Sequence, residues 1–281
     1  MSAALPVGIT PPSRIRRSLI WLVLLPALWI TLLYWLPIIQ TSGVPTTLHQ
    51  LAAHGLIALG LWLGLERIEL TQNQRRAIWL AVMIPDTLWF ALMWSAAING
   101  VFRTAALPVL PLAIFLPVIV VTPILLVSTR VGQVLDAMPA TWLVALQTYR
   151  AFGSWAIAAA LRGAIPAVFG LPAGIGDLLT GVLAVLAAIA VAGGTAQGRK
   201  AAIAWNIVGL VDFLIAIALG LITSPGRFQL IVPSVPSIGV GAYPDVLTPA
   251  FVVPSSILMH VLSLRQLVRQ SKREVARRET V

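Results

Sequence analysis

The chain has 281 residues, 59% of them hydrophobic and 10% charged, with a net charge of +10 and no cysteine. Soluble domains carry about 25% charged residues, so the composition excludes an ordinary soluble fold. The missing cysteine excludes disulfides, thiolate metal sites, iron–sulfur clusters and a cysteine nucleophile. Apolar runs of membrane-spanning length recur along the chain, and the excess of basic residues reads as flanking charge beside membrane helices rather than as a nucleic-acid surface.

In chain order, hydrophobic patterning predicts a short N-terminal segment, 1–17, with Arg14, Arg16 and Arg17. Eight spans then follow within 18–264: 18–39, 48–65, 77–100, 105–127, 140–161, 177–194, 201–223 and 247–264. The first apolar run is too long for a signal peptide and has no small-x-small cleavage site after it, so it is retained as a span. Span four holds Pro108, Pro111, Pro117 and Pro123 and is expected to be kinked or broken. The stretch "RGAIPAVFGLPAGIGD" reads as an external loop or a re-entrant segment, and the proline-rich segment 224–246 as a cap over the membrane surface or an outer vestibule. The basic tail 265–281 is expected to be an amphipathic helix lying on anionic lipid.

This is an all-α, polytopic transmembrane bundle. Fifteen of its basic residues fall on one side: the three N-terminal arginines, Arg67, Arg75, Arg76, Arg130, Arg199, Lys200 and six in the tail. Arg103, Arg162 and Arg227 fall on the other side. The positive-inside rule places both termini in the cytoplasm.

The ionisable residues within the spans are the candidate functional groups, because charge at membrane depth is costly and is usually kept for a polar interior. Counted from the cytoplasmic ends, Asp86, Arg150 and Asp212 fall at similar depth near the midplane, which predicts a cluster. Gln147, Arg150 and Ser154 share a helical stripe, and Asn206 lies one turn from that level. Arg162 and Asp177, at the expected ends of spans five and six, form a second candidate pair at an outer mouth. His54 is read as a hydrogen-bonded interior residue or a proton relay. His49 and His54 differ by about 140° around a helix, and His260 is placed near the cytoplasmic end of span eight. No histidine pair therefore suits a haem, no metal-binding spacing occurs, and no cofactor is expected. Catalytic-triad and nucleotide-loop motifs are also absent.

The runs "QTYRAFGSW", "GLPAGIGDLLTG", "WNIVGLVDF" and "VPSSILMHVLSLRQL" resemble segments of bacterial multi-pass inner-membrane proteins of unassigned function, over about residues 140–270. The resemblance implies a bacterial cytoplasmic membrane and transfers no activity. Three functions stay open. One is small-solute or proton/cation-coupled transport through the midplane charges, with lipid and a small solute as partners. The second is a structural or assembly component held by buried ion pairs, and the third is an intramembrane enzyme or cofactor protein. The sequence does not reach the oligomeric state.

Overall fold

The computed structural model describes residues 44–66, 69–104 and 109–279, together with Leu24, Leu28 and Thr31. The expected N-terminal segment and most of the first span lie outside the described residues. The elements are α1 Val44–Leu65, α2 Gln72–Ile98, the single turn α3 Val101–Thr104, α4 Val109–Val127 and α5 Thr129–Ala137. Next come α6 Ala140–Leu146, a 3-10 segment Gln147–Gly153, and α7 Ser154–Leu161. The remaining helices are α8 Ala167–Ala192, α9 Ala196–Thr223, a 3-10 turn Ser237–Gly241, a π turn Thr248–Val252 and α10 Val253–Glu279.

Six helices among the described residues are long and apolar enough to cross a membrane. They begin or end where local chemistry predicts. Thr71 and Gln74 form a reciprocal capping box at the start of α2. Ser128 caps α5 and Thr195 caps α9 by accepting backbone N–H bonds. The stretch from 140 to 161 is helical throughout but changes pitch midway, so it contains no single long α-helix.

Large apolar side chains point outward. Leu80, Ile84, Leu88 and Leu92 run down one face of α2 at 46% to 64% exposure, and Ile119 and Ile124 of α4 are likewise exposed. Water would penalise such a surface, whereas lipid tails are as apolar as leucine. The outward face therefore fits an integral membrane protein.

Inside, small residues let backbones approach closely. Val144 and Ala145 of α6 meet Ala184, Ala187 and Ala188 of α8, with Trp205 of α9 closing the cluster. A second cluster joins Ala53 of α1, Phe90 of α2, Tyr149, Phe251 and Met259, and so ties the first two helices to the last.

Two expectations are corrected here. The segment 167–176 is neither a loop nor re-entrant, because it forms the first turns of α8 with Pro172 inside the helix. Gly170 and Gly174 face Ala160, Ile165 and Ile157 at distances that leave no room for a Cβ; close packing, not turn formation, is what these glycines serve. The last helix also does not break at 264. It continues from Thr248 to Arg273 and is apolar enough over that length to cross a membrane, and three of the arginines that suggested a lipid-bound tail are bonded to protein. Arg265 donates to the carbonyls of Leu125 and Ser128 at the end of α4. Arg269 and Arg273 donate to Asp136 of α5 at 2.7 Å and 2.6 Å. Gln266, fully buried, donates to the carbonyls of Leu135 and Met138.

At the opposite end of the bundle, Asp245 accepts a 3.0 Å bond from the Thr46 hydroxyl. Burial pushes its carboxyl above its ordinary value, and the Thr46 bond pulls it partly back. A raised acid favours the protonated form in the fold, so its stabilising effect is complete below the unfolded value and fades as pH rises through the folded one. Asp245→Asn is therefore expected to melt higher than wild type at neutral pH. The gap should shrink toward pH ~4; a gap that widens on acidification in parallel melts contradicts this.

Candidate functional site

The functional candidates meet around Arg150. It lies in the 3-10 segment, where three residues make a turn and positions i and i+3 align. Gln147, Arg150 and Gly153 consequently share one inward face, and all three are buried. The expected stripe through Ser154 assumed α-helical pitch. A 3-10 stretch within a helix often marks a functional or strained position, and here it aims the guanidinium between α8, α9 and α10.

All three guanidinium nitrogens donate to acceptors within the protein. Nε donates to Asp177 Oδ1 at 2.8 Å, and Nη2 reaches the same oxygen at 2.7 Å. Nη2 also donates to Asp212 Oδ2. Nη1 donates to the Gly209 carbonyl at 3.3 Å and to His260 Nε2 at 3.2 Å. The flat face of the group stacks on Phe213, 3.7 Å from the ring centroid, where cation–π attraction adds to the ion pairs.

Because a guanidinium can only donate, His260 Nε2 must accept. The ring proton then sits on Nδ1 and is donated to Asn206 Oδ1 at 2.9 Å. Asn206 in turn donates to the Ala202 carbonyl at 2.8 Å and to Ser263 Oγ at 3.0 Å. A hydrogen-bonded chain thus runs Arg150–His260–Asn206–Ser263 on the side of the basic residues. On the other side, Tyr149 bonds Ser256, and Gln147 donates to the Ser256 carbonyl at 3.0 Å.

Glycines make the centre possible. A Cβ at Gly176 would overlap Asp212, and one at Gly153 would overlap Asp177. At Gly209 it would lie 2.6 Å from His260 Cε1 and 3.1 Å from Arg150 Nη1. Gly209→Ala is expected to lose about 1–3 kcal/mol through overpacking. Gly55→Ala meets nothing within 4 Å and serves as the neutral or slightly stabilising control. Equal melting temperatures for the two variants would contradict the tight fit at Gly209.

Two of the three residues expected to cluster come together, and one is replaced by another carboxylate. Arg150 and Asp212 meet, and Asp177 stands where Asp86 was expected. Asp86 instead pairs with His54 Nδ1 at 2.9 Å, while His54 Nε2 contacts Thr87 Oγ1 at 3.3 Å and the ring stacks on Phe90. The Arg162–Asp177 outer pair is not formed. Arg162 is exposed and caps α7 through its backbone, and Asp177 lies ten residues, about 15 Å, inside α8. Asn206 joins the centre through His260, and Gln147 braces α10 beside it. His260 itself was missed because ending the last span at 264 placed it near the cytoplasmic surface; in the continuous helix from Thr248 to Arg273 it is central. The signal was present in "SSILMHVLSLRQ", where Ser256, His260 and Ser263 follow i, i+4, i+7.

A family model, described as "Domain of unknown function (DUF8737)", matches residues 107–268, more than half of the chain. The chain belongs to this family. No match was found among the curated proteins or among the solved structures. Arg150, Asp177, Asp212, Asn206 and His260 all fall within the DUF8737 region, whereas His49 and the His54–Asp86 pair come from the helices before it. The four runs whose resemblance was noted in the sequence supply all of these members: Arg150, Asp177, the Asn206 and Asp212 of "WNIVGLVDF", and His260.

Proposed function

We propose that this member of the DUF8737 family is a transport protein of a bacterial inner membrane, and that its Arg150 centre binds a proton or a small cation coupled to solute movement. In this reading the chain crosses eight times with both termini in the cytoplasm, and the 224–247 segment lies outside. The distribution of basic residues supports that orientation, as does the packing of Arg265, Arg269 and Arg273 at one end of the bundle. The basic tail is proposed to bind anionic lipid, with Lys272 among its exposed cations.

One observation carries the proposal: two carboxylates converge on a single guanidinium in the bundle interior. With both aspartates ionised the centre is left with one negative charge, and one bound proton or monovalent cation brings it to zero. Buried charge without compensation is costly, so ligand binding there has a stated electrostatic drive. Arg150 holds the two carboxylates together, and each of its three nitrogens already donates within the protein. It is thus a positioning group, and an anionic part of a solute is not its partner. His260 and Asn206 keep the guanidinium oriented, and Gln147 braces the neighbouring helix. The pitch change at 147–153 carries Arg150 itself, and Thr248 and Val252 of the π turn line a cavity beside it.

A structural reading has its own support, since the same saturation of Arg150 is what a helix clamp requires. The two separate in thermal melts of the purified protein across pH and across a panel of Na+, K+ and Li+. A binding centre gives wild-type stability that rises with its ligand and a response that disappears in Asp212→Asn. An identical response in wild type and variant, or none in either, sinks the transport reading and leaves the clamp.

A further inference from the structure

Beside the centre, toward the 224–247 end, lies a cavity of about 20 Å³ lined by His49, Tyr149, Arg150, Asp177, Thr248 and Ser256 among others. That volume accommodates about one water molecule. His49 is 93% buried by its 7% exposure, and its Nδ1 has no hydrogen-bond partner among the described residues. Its ring is fixed against Phe152, 4.3 Å between centroids, and near Tyr149 at 5.8 Å. A buried polar atom without a partner is destabilising, so a nitrogen held in this way at a water-sized cavity points to water as its partner. Asp177 forms another wall and keeps 24% of its side chain accessible while its Oδ1 is held by Arg150.

Polar contacts continue outward from the cavity. Thr248 on its rim accepts from Gln50 Nε2 at 2.9 Å, and Gln50 is the residue after His49. One turn earlier on α1, Thr46 holds Asp245 in the connecting segment. The groups facing His49 are Tyr149 and Arg150 from the 3-10 segment, Asp177 from α8, and Thr248 and Ser256 from the last helix.

We propose that this cavity is the proton port of the Arg150 centre, with one water joining His49 Nδ1 to the Asp177 carboxylate. The inference rests on the proton form of the transport reading. In the inward step the protonated Nδ1 gives its proton to the water as the water gives one of its own to Asp177. One N–H bond breaks, one O–H bond forms on the carboxyl, the water is restored and nothing is oxidised or reduced. The outward step is the reverse. His49 belongs to α1, before the DUF8737 region, so the first helix supplies the gate to a centre built wholly by the later ones.

The chain has three histidines, so ¹⁵N-histidine magnetic resonance of the full-length protein in lipid bilayers resolves each ring, with His49→Gln assigning its signal. The expected result is a water correlation at His49 Nδ1 that shifts in Asp177→Asn, while the His260 ring keeps its Nδ1–H form and shows no water correlation. A His49 nitrogen without a water correlation, or one unmoved by Asp177→Asn, overturns the port. The melting assay fails separately. A centre that responds to pH beside a dry His49 refutes the port and leaves the centre, whereas a wet, Asp177-coupled His49 beside an unresponsive centre supports the chamber and refutes transport.

Discussion

Arg150→Met is expected to destabilise the protein by about 3–5 kcal/mol, the range found when one partner of a buried ion pair is removed. The substitution leaves Asp177 and Asp212 facing each other without a cation, takes the donor from His260 Nε2, and exposes the Gly209 carbonyl to an apolar neighbour. Arg150→Lys should recover only part of this. An ammonium is a point charge with three donors, whereas the guanidinium serves two carboxylates, a carbonyl and an imidazole from one plane. Detergent melts of wild type, Arg150→Lys and Arg150→Met should rank in that order. A methionine variant as stable as wild type would show that the centre contributes no net packing order.

Neutralising one carboxylate should do the opposite of removing the arginine. Asp212→Asn keeps the shape and one acceptor for Nη2 while reducing the centre to one cation and one anion. If the second charge is there for a ligand, the variant is expected to match or exceed wild-type stability and to lose the response to proton or cation. A saturated site at 100 times its dissociation constant adds about 2.7 kcal/mol, so the lost response is large enough to read as a shift in melting temperature. A working site is commonly held at some cost to the fold. A clamp predicts instead that Asp212→Asn falls well below wild type at every pH and in every salt. Asp177→Asn provides the stricter comparison, because Asp177 takes two of the guanidinium contacts and also faces the cavity.

The His54–Asp86 pair shows why a charge at membrane depth is not by itself a member of the main site. Both residues are half-buried, 20% and 22% exposed at the side chain, and their contacts run along α1 and α2. Phe251 lies against His54, 5.9 Å between centroids, and belongs to the aromatic cluster that ties those helices to the last one. Helix depth follows from residue counting, but the direction in which a side chain faces depends on which helices become neighbours.

The sequence by itself determined the class of this protein. The apolar runs, the sparse charges and their asymmetry follow from the solvent the chain meets, and lipid imposes those constraints on every residue of a span. It also singled out Arg150 and Asp212, because ionisable residues within apolar runs stand out without any knowledge of contacts. Only the tertiary structure decided who meets whom. Asp177 could be recognised as a partner of Arg150 only once "LPAGIG" was seen as a packed helical face, since glycine and proline read the same way in a turn as in a close helix crossing. His260 became central only once Arg265 and Gln266 had found the carbonyls of Leu125, Ser128, Leu135 and Met138, which lets the last span run past its first charges. Each of these outcomes is a pairing between residues far apart in the chain. Pairings of that kind are set by how helices dock, and the local pattern of a single helix does not contain them.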